Sequence, residues 1–328
     1  MNWGILATGT IAAKFAATVN KMEDSQRLAA CASRTKEKAE EFASRHSIPA
    51  FYGSYEEMVR DENVDAVYIA TPNNMHYENC CMCLEAGKHV LCEKPFTTNE
   101  EEAEKLYELA ESRGLFIMEA FWIRHLPALK KMQELIREGV IGDVVHARSD
   151  YGFVAAGARK VRKFNSSLAG GALLDIGIYN LGFMHMVMGD EEARSFTSCH
   201  HINEFGTDDF SSILLAYPGG RSACVTTSIG LIMPREALVT GTKGSLYLPD
   251  FQQAERLTVR PAEGEEYTLE FPFEVNGFEY QIREVQRCVD QGMYTSDVLK
   301  KEDTLAIIRL MDKVRKSWGL TFECEKQR

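Results

Sequence analysis

Residues 3–19, WGILATGTIAAKFAATV, decide how the first part of the chain folds. Residues 3–7 form a short apolar run typical of a buried strand, and residues 11–19 carry apolar side chains at helical spacing. Strand-like and helix-like stretches alternate in the same way up to residue 122. Further strands are expected at residues 27–33, 50–51, 64–70, 89–92 and 115–120. This alternation is the pattern of βαβ units and predicts a parallel sheet.

The turn between the first strand and the first helix has the spacing of a dinucleotide-binding fingerprint. Gly9 takes the second glycine position of Gly-x-Gly-x-x-Gly, whereas Ala7 and Ala12 replace the first and third glycines. A backbone without a side chain can approach a pyrophosphate closely, and the N-terminus of the next helix favours the anion. We therefore predict dinucleotide contacts from Thr8, Gly9, Thr10 and Ile11. A plain tight turn is the alternative interpretation of so degenerate a motif.

Ser33-Arg34 lies at the end of the second expected strand, where dinucleotide sites select their cofactor. An acidic residue there binds the ribose hydroxyls of NAD, whereas a hydroxyl followed by a guanidinium suits the 2′-phosphate of NADP. The sequence therefore favours NADP and leaves NAD open as the other cofactor. The structural alternative is an exposed arginine that only opens a helix.

Two more segments are expected at the carboxyl edge of this sheet, where open α/β sheets bind ligands. The predicted cofactor contacts there are Thr71, Pro72, Asn73, His76, Glu93 and Lys94. An ammonium beside a carboxylate can hold a substrate hydroxyl, or transfer its proton where burial favours the neutral amine. Surface Glu-Lys pairs are common, however, and His76 has a structural alternative as a residue that caps a helix.

The pattern changes after residue 144, where strands dominate. Short links such as Pro218-Gly219-Gly220 indicate hairpins and a mostly antiparallel sheet. One apolar helix is expected at 173–188, and two more helices near 278–289 and 302–318. At about 150 residues per domain, the chain divides into two. We predict an α/β Rossmann domain over residues 1–122 and an α+β domain for substrate binding and oligomerisation over residues 123–328, with the last helix able to pack back on the first domain.

Composition limits the partners and location of the protein. Its 328 residues carry a formal net charge of −11 and no run of Lys or Arg, so we expect no nucleic-acid or membrane partner. Nine cysteines without a secretory leader indicate reduced thiols and a cytoplasmic protein. Cys80 and Cys83 have a C-x-x-C spacing, but a lone pair in a helix is more typical of buried small side chains. We predict no metal site.

Four motifs, in this order and spacing, resemble those of the glucose–fructose oxidoreductase/inositol dehydrogenase (Gfo/Idh/MocA) family. They are the turn at residues 7–12, Thr71-Pro72-Asn73-x-x-His76, Glu93-Lys94-Pro95, and residues 170–179, GGALLDIGIY. Residues 119–124, EAFWIR, and Tyr179 resemble the branch that contains dimeric dihydrodiol dehydrogenase and NADP-dependent D-xylose dehydrogenase. The resemblance covers essentially the whole chain. It implies a Rossmann domain and a second domain whose open, largely antiparallel sheet often packs against another subunit.

The resemblance also implies catalytic roles. Lys94 corresponds to the catalytic lysine, Tyr179 to the proton acceptor, and Asp175 to a residue that orients the substrate. Many relatives carry His at the position of Tyr179, so whether Lys94 or Tyr179 accepts the proton stays open. Asp175 and Tyr179 are four residues apart on an apolar helix and therefore share a face. The predicted substrate contacts are Trp122, Arg124, Phe153, Asp175 and Tyr179, although a core Trp and a surface Arg are equally ordinary.

Together these features predict reversible hydride transfer between NADP and a secondary alcohol or hemiacetal carbon of a sugar or cyclic diol. The partners expected are a small polyhydroxylated substrate and further copies of the chain, as a homodimer or homotetramer formed through the C-terminal sheet. Two alternatives stay open. One is a glycoside-processing enzyme with transient redox chemistry and a tightly bound cofactor, and the other is a non-catalytic regulator that responds to NADP.

Overall fold

The computed structural model describes residues 1–189 and 191–326, apart from the side chains of residues 158, 159 and 326. It contains two compact units. The first comprises Met1–Trp122 and Glu274–Leu305, and the second comprises Ile123–Phe273 and the chain from Ala306 onward.

The first unit is built on a parallel sheet of six strands in the order β3-β2-β1-β4-β5-β6. This is the doubly wound arrangement in which the first strand stands beside the point where strand order reverses. The strands are β1 (Asn2–Leu6), β2 (Arg27–Ala32), β3 (Ala50–Tyr52), β4 (Ala66–Ile69), β5 (His89–Glu93) and β6 (Ile117–Ala120). The helices between them are α1 (Thr10–Lys21), α2 (Lys36–His46), α3 (Tyr55–Met58), α4 (His76–Glu85) and α5 (Glu100–Arg113). The predicted βαβ pattern is confirmed.

Local sequence explains where several of these helices begin and end. The Ser54 hydroxyl accepts the N–H of Glu57 at 3.1 Å and starts α3, and the Asn99 side chain accepts the N–H of Glu102 at 3.0 Å and starts α5. Gly114 ends α5 in the left-handed region, at φ 67°, where a side chain would be strained. In the core, the Phe15 ring of α1 stacks on Tyr68 of β4 with centroids 3.9 Å apart.

The second unit is built on an eight-stranded sheet in the order β14-β13-β12-β11-β7-β10-β9-β8. Its strands are β7 (Val144–Gly152), β8 (Ser195–Ile202), β9 (Asp208–Ala216), β10 (Ser222–Ser228), β11 (Ala237–Gly241), β12 (Gly244–Leu248), β13 (Arg256–Pro261) and β14 (Tyr267–Glu270). Neighbouring strands pair antiparallel except β7 and β10, which pair parallel. The predicted mostly antiparallel sheet is therefore confirmed.

Helices of the second unit include α6 (Pro127–Arg137), the short α7 (Ala158–Lys163) and α8 (Ile178–Met188). The sequence predicts one helix over 173–188, but the structure has a π-helical turn at Leu173–Gly177 before α8. Every residue of α8 except His185 is buried. The stretch Ser166–Met188 is long and apolar enough to span a membrane, yet 94% of its most apolar window is buried in the structure, as is typical of a core helix.

The first unit of the structure includes Glu274–Leu305 in addition to Met1–Trp122, whereas the sequence prediction placed this segment with residues 123–328. This segment contains α9 (Glu279–Asp290) and belongs to the first unit. The physical reason is that α9 packs against the start of the first unit. The Gln26 amide donates to Gln286 at 3.2 Å, and the Arg283 guanidinium contacts Asp24 at 3.2 Å.

The chain ends with α10 (Lys301–Ser317) and α11 (Glu323–Lys326). Cys80 and Cys83 lie buried in α4, in keeping with the prediction of small core side chains. All nine cysteines belong to the described residues, and none is paired in a disulfide. Within the same residues, no group of three or more His, Cys, Asp or Glu side chains is placed to hold a metal ion.

Candidate active site

The turn after β1 has the backbone that a dinucleotide site needs. Ala7 stands at φ 76°, in the left-handed region, and donates its N–H to Ala32 at 3.0 Å. A glycine adopts this conformation without strain, which explains why the fingerprint has glycine at its first position. Ala7 therefore keeps the turn at a cost of conformational strain.

Gly9 and its surroundings fit a bound dinucleotide. Apart from the residues next to it in the chain, no atom of the described residues lies within 4 Å of the place where a Cβ on Gly9 would stand, so packing against the protein does not require a glycine here. Gly9 is the first residue before α1, whose N-terminus has neither a side-chain cap nor an acidic residue in its first turn. Open space above a bare helix N-terminus suits a pyrophosphate.

The residues predicted to contact the cofactor ribose lie at the end of β2. The Thr8 and Ser33 hydroxyls lie 3.4 Å apart, and Ser33 is buried whereas Arg34 is exposed. Arg34 lies close enough to Tyr55 to oppose the rise in the pKa of that phenol, which burial causes. A hydroxyl beside an exposed guanidinium has the donors that a 2′-phosphate requires.

His76 joins the two loops at the carboxyl edge of the sheet. Its Nδ1 lies 2.7 Å from the carbonyl oxygen of Pro95, and its Nε2 lies 3.0 Å from that of Thr71. The Asn79 amide donates to the Thr71 hydroxyl at 3.0 Å. The ring of His76 is therefore buried between the Thr71 loop and the Lys94–Pro95 peptide, which is cis. His76 therefore holds the Thr71 loop beside the segment that carries Lys94 and Pro95.

Glu93 and Lys94 end β5 beside this histidine. The Glu93 carboxylate is buried, accepts a hydrogen bond from the Tyr68 hydroxyl, and accepts the backbone N–H of Lys94 at 3.3 Å. Burial raises the pKa of Glu93, and the Lys94 ammonium opposes that rise. Lys94 itself is half-buried.

Two charged residues of the first unit were missed by the sequence argument. Glu119 is a buried carboxyl on β6 that accepts the N–H of Phe96 at 3.0 Å and the hydroxyl of Thr304 at 3.2 Å. Burial raises the pKa of Glu119 to about 7. The EAFWIR motif, which begins with Glu119, was the signal that could have drawn attention to this residue. Its burial could not be foreseen, because its partners Phe96 and Thr304 are distant in sequence.

Lys14 is the second missed charge, and it changes the interpretation of Trp122. Its ammonium lies 4.4 Å from the ring centroid of Trp122 and 4.2 Å from that of Phe278. Burial lowers the pKa of Lys14, and the carboxylates of Glu93 and Glu279 oppose the shift. Trp122 is buried in this packing within the first unit, so its predicted role in substrate contact stays a prediction. Arg124 belongs to the second unit, which begins at Ile123, and its substrate role is likewise a prediction.

The second unit brings Phe153, Asp175 and Tyr179 into one cluster. The ring of Tyr151, on β7, lies 6.0 Å from that of Tyr179 and 6.3 Å from that of Phe153. The ammonium of Lys163 contacts the Asp175 carboxylate and lies 5.0 Å from the Phe153 ring centroid. Three residues predicted from sequence are thus connected through Tyr151 and Lys163, neither of which the motifs indicate.

Tyr151 and Tyr179 are two buried phenols in this cluster. Burial raises the pKa of Tyr151 to about 12, and the nearby Asp175 adds to the rise. The Arg235 guanidinium, 5.5 Å from the Tyr151 ring centroid, opposes it. Tyr151 is therefore protonated at neutral pH and unsuited to accept a proton.

Gly170 and Gly171, before Asp175, allow the backbone to pass close to Lys163 and to Asp208. A Cβ on Gly170 would stand 2.4 Å from the carbonyl oxygen of Lys163, and one on Gly171 would stand 2.3 Å from a carboxylate oxygen of Asp208. Gly171 also has a φ of 118°. Asp208 accepts the N–H of Leu173 at 2.7 Å, and burial raises the pKa of Asp208 to about 7. The glycines thus let Asp208 cap the segment that carries Asp175.

A Rossmann unit whose glycine turn accommodates a dinucleotide, joined to an α+β unit with a polar cluster, defines a two-domain oxidoreductase. Residues 1–121 match the family model described as the oxidoreductase family with an NAD-binding Rossmann fold, and residues 129–247 match the GFO/IDH/MocA C-terminal domain. The chain belongs to the GFO/IDH/MocA family. The resemblance inferred from the motifs is confirmed.

Named relatives cover the full chain. The chain is 36% identical to trans-1,2-dihydrobenzene-1,2-diol dehydrogenase from Mus musculus, over 100% of this chain and 99% of the relative. It is similar in structure to KijD10, a 3-ketoreductase from Actinomadura kijaniata in complex with NADP and TDP-benzene, with a TM-score of 0.87, 26% identity and coverage of 96% and 97%. Aldose-aldose oxidoreductase from Caulobacter crescentus, complexed with glycerol, gives a TM-score of 0.87, 25% identity and coverage of 100% and 98%.

Proposed function

We propose that this protein is an NADP-dependent dehydrogenase that oxidises a secondary alcohol carbon of a cyclic diol or a sugar, and reduces the corresponding carbonyl in reverse. The observation that carries the proposal is the full-length similarity to a diol dehydrogenase, at 36% identity. The structural neighbours, one in complex with NADP and the other with glycerol, support the cofactor and the polyhydroxylated class of substrate.

Bound NADP supplies the hydride acceptor for the alcohol carbon. Thr8, Gly9 and Ser33-Arg34 are the residues that would hold it. We assign Tyr179 as the group that takes the proton lost by the substrate hydroxyl, which is the role that the family resemblance implies. Tyr151 is assigned no proton transfer, because its pKa of about 12 keeps it protonated. Asp175 accepts a hydrogen bond from a substrate hydroxyl, and the Lys94 ammonium favours ionisation of the reacting hydroxyl.

Substitution of the proposed catalytic residues tests this chemistry. Lys94→Ala and Tyr179→Phe are each expected to lower kcat by about 100-fold or more, the usual contribution of proton transfer. Steady-state kinetics with trans-1,2-dihydrobenzene-1,2-diol and a panel of sugars, combined with NADPH titrations, separates turnover from cofactor binding. Tyr151→Phe is the matched control, because it removes the neighbouring phenol; a loss equal to that of Tyr179→Phe would contradict the assignment.

Cofactor preference tests the role of Arg34. A hydrogen bond from a guanidinium to a phosphate contributes about 1.5–3 kcal/mol, so Arg34→Ala should weaken NADPH binding about 10- to 100-fold and leave NADH binding nearly unchanged. Nicotinamide fluorescence measures both affinities. Lys36→Ala removes another exposed cation two residues further on and serves as the control. Equal weakening by the two substitutions, or a wild-type preference for NADH, would refute the role of Arg34.

The same substrate panel distinguishes the two other activities. A cofactor that co-purifies with the protein, together with glycoside cleavage and no net change in NADPH, would indicate a glycoside-processing enzyme. Tight NADPH binding without turnover of any compound would indicate a regulator and would refute the proposed dehydrogenase.

We further propose a cytoplasmic homodimer or homotetramer formed through the sheet of the second unit. The cross-strand neighbours Leu214, Cys224, Arg148, Leu238 and Tyr247 follow one another across one face of this sheet, and all five are at least partly exposed. An uncovered sheet face of this kind suits a second copy. Nine unpaired cysteines support a reducing compartment. Light scattering of the purified protein measures the assembly.

A further inference from the structure

Lys163 and Asp175 form an ion pair inside the second unit. The Lys163 ammonium contacts Oδ2 of Asp175, and the two side chains are only 9% and 12% exposed. Lys163 is the last residue of α7, whereas Asp175 lies in the π-helical turn before α8. An ionised carboxylate is costly to bury without a counter-charge, so this lysine stabilises the charged form of Asp175.

The backbone fixes the same two residues relative to each other. The carbonyl oxygen of Lys163 accepts the N–H of Gly171 at 2.7 Å, and the carbonyl oxygen of Gly171 accepts the N–H of Asp175 at 3.1 Å. Gly170 permits the approach, since a Cβ there would stand 2.4 Å from the Lys163 carbonyl. Two backbone hydrogen bonds and one ion pair therefore connect α7 to Asp175.

The position of the pair points to substrate orientation. The Lys163 ammonium faces the ring of Phe153 at 5.0 Å, and Tyr151 connects Phe153 to Tyr179. A carboxylate whose Oδ2 is held by an ammonium can accept further hydrogen bonds at its oxygens. Fixing Oδ2 therefore also fixes the direction from which a hydroxyl of the substrate can donate.

We propose that Lys163 is a positioning residue, which acts through Asp175 by keeping this carboxylate ionised and correctly oriented for a hydroxyl of the substrate. The inference rests on the proposed dehydrogenase function. It assigns Lys163 no contact with the reacting atoms, and it predicts that Lys163 matters only while residue 175 is a carboxylate.

A double-mutant cycle of kcat/KM tests this dependence. Lys163→Met should lower kcat/KM for the oxidised diol or sugar about tenfold in the wild-type background, because Asp175 loses its counter-charge. In the Asp175→Asn background the same substitution should change kcat/KM less than about twofold, since a neutral amide needs no counter-charge. Lys163→Arg should retain most of the wild-type kcat/KM, whereas Lys163→Gln should not.

The matched control is Lys160→Met, which removes an exposed cation from the same short helix and should leave kcat/KM unchanged. Thermal unfolding and NADPH titration accompany each variant to show that it is folded and binds cofactor. If Lys163→Met does not fold, the comparison of Lys163→Arg with Lys163→Gln, in both backgrounds, gives the same answer.

The outcomes separate this inference from the proposed function. An active wild-type enzyme in which Lys163 substitutions cost the same with Asp175 and with Asn at position 175 overturns the positioning role and leaves the dehydrogenase in place. Full activity of Lys163→Met and Lys163→Gln overturns it as well. A wild-type protein that oxidises no diol or sugar refutes the proposed function, and the inference falls with it.

Discussion

Glu119 and Asp208 are buried carboxyl groups, one in each unit, and each is held by backbone N–H donors. Burial raises the pKa of both groups to about 7, from ordinary values of 4.5 and 3.8. The N–H of Phe96 on Glu119 and that of Leu173 on Asp208 oppose this effect by favouring the charged form. Both groups therefore change charge near neutral pH, where most surface carboxylates do not.

The raised pKa values predict how stability depends on pH. At low pH each carboxyl is protonated in the folded and the unfolded chain; as pH rises, the unfolded chain releases its proton first. Each group therefore lowers the free energy of unfolding between about pH 4 and pH 7, by up to about 1.4 kcal/mol per pH unit. Urea unfolding at pH 5 and at pH 7 measures this effect. From pH 5 to pH 7, the free energy of unfolding should fall less for Glu119→Gln and for Asp208→Asn than for the wild type.

The control for this comparison is Glu40→Gln, a substitution of an exposed carboxylate on α2, which should leave the wild-type difference between pH 5 and pH 7 in place. If Glu119→Gln and Asp208→Asn lose as much stability as the wild type over this interval, neither carboxyl binds its proton near neutral pH.

Individual site residues were predicted from sequence where a motif has local geometry. Gly9 and Lys94 were predicted from a turn and from a strand end, whereas the role of Asp175 was implied by the family resemblance, and all three roles stay predictions. Lys163, Glu119 and Lys14 could not be predicted, because their roles depend on contacts with residues distant in sequence. His76 was predicted as a cofactor contact, which stays a prediction, and its bridge between Thr71 and Pro95 was not foreseen, since two separate loops form it.

At the scale of elements, periodicity and capping residues were sufficient for most of the chain. Ser54, three residues before Glu57, and Asn99, three residues before Glu102, are typical helix starts, and in the structure both side chains accept these backbone N–H groups. These features are local, because a helix start depends on residues within one turn of it. The strands of the first sheet were predicted from short apolar runs, which are equally local.

Elements that depend on distant contacts were missed or misjudged. The parallel pairing of β7 with β10 joins strands far apart in sequence, and hairpin links alone do not predict it. The π-helical turn at Leu173–Gly177 coincides with a cap from Asp208 on β9. π-helical turns are frequent at functional sites, and this one carries Asp175 of the cluster that also contains Tyr179.

At the scale of the molecule, the sequence does not show that Glu274–Leu305 belongs to the first unit. The pattern of α9 shows an apolar face, including Ile282 and Val285, but does not show which unit covers it. In the structure this segment interacts with the first unit through the Asn276 contact with Thr18 at 3.0 Å and the Thr304 contact with Glu119 at 3.2 Å. The first unit is therefore discontinuous in sequence.

A discontinuous unit predicts that residues 1–122 do not fold fully alone. Joining them through a flexible Gly/Ser linker to residues 274–305 should restore the unit, in which the rings of Trp122 and Phe278 pack with centroids 5.3 Å apart. The joined chain should unfold cooperatively in urea, at a higher midpoint than residues 1–122. An Ile282→Asp control places a charge on the buried face of α9 and should abolish this gain. Equal midpoints for the joined chain and residues 1–122 would show that the first 122 residues are an independent domain.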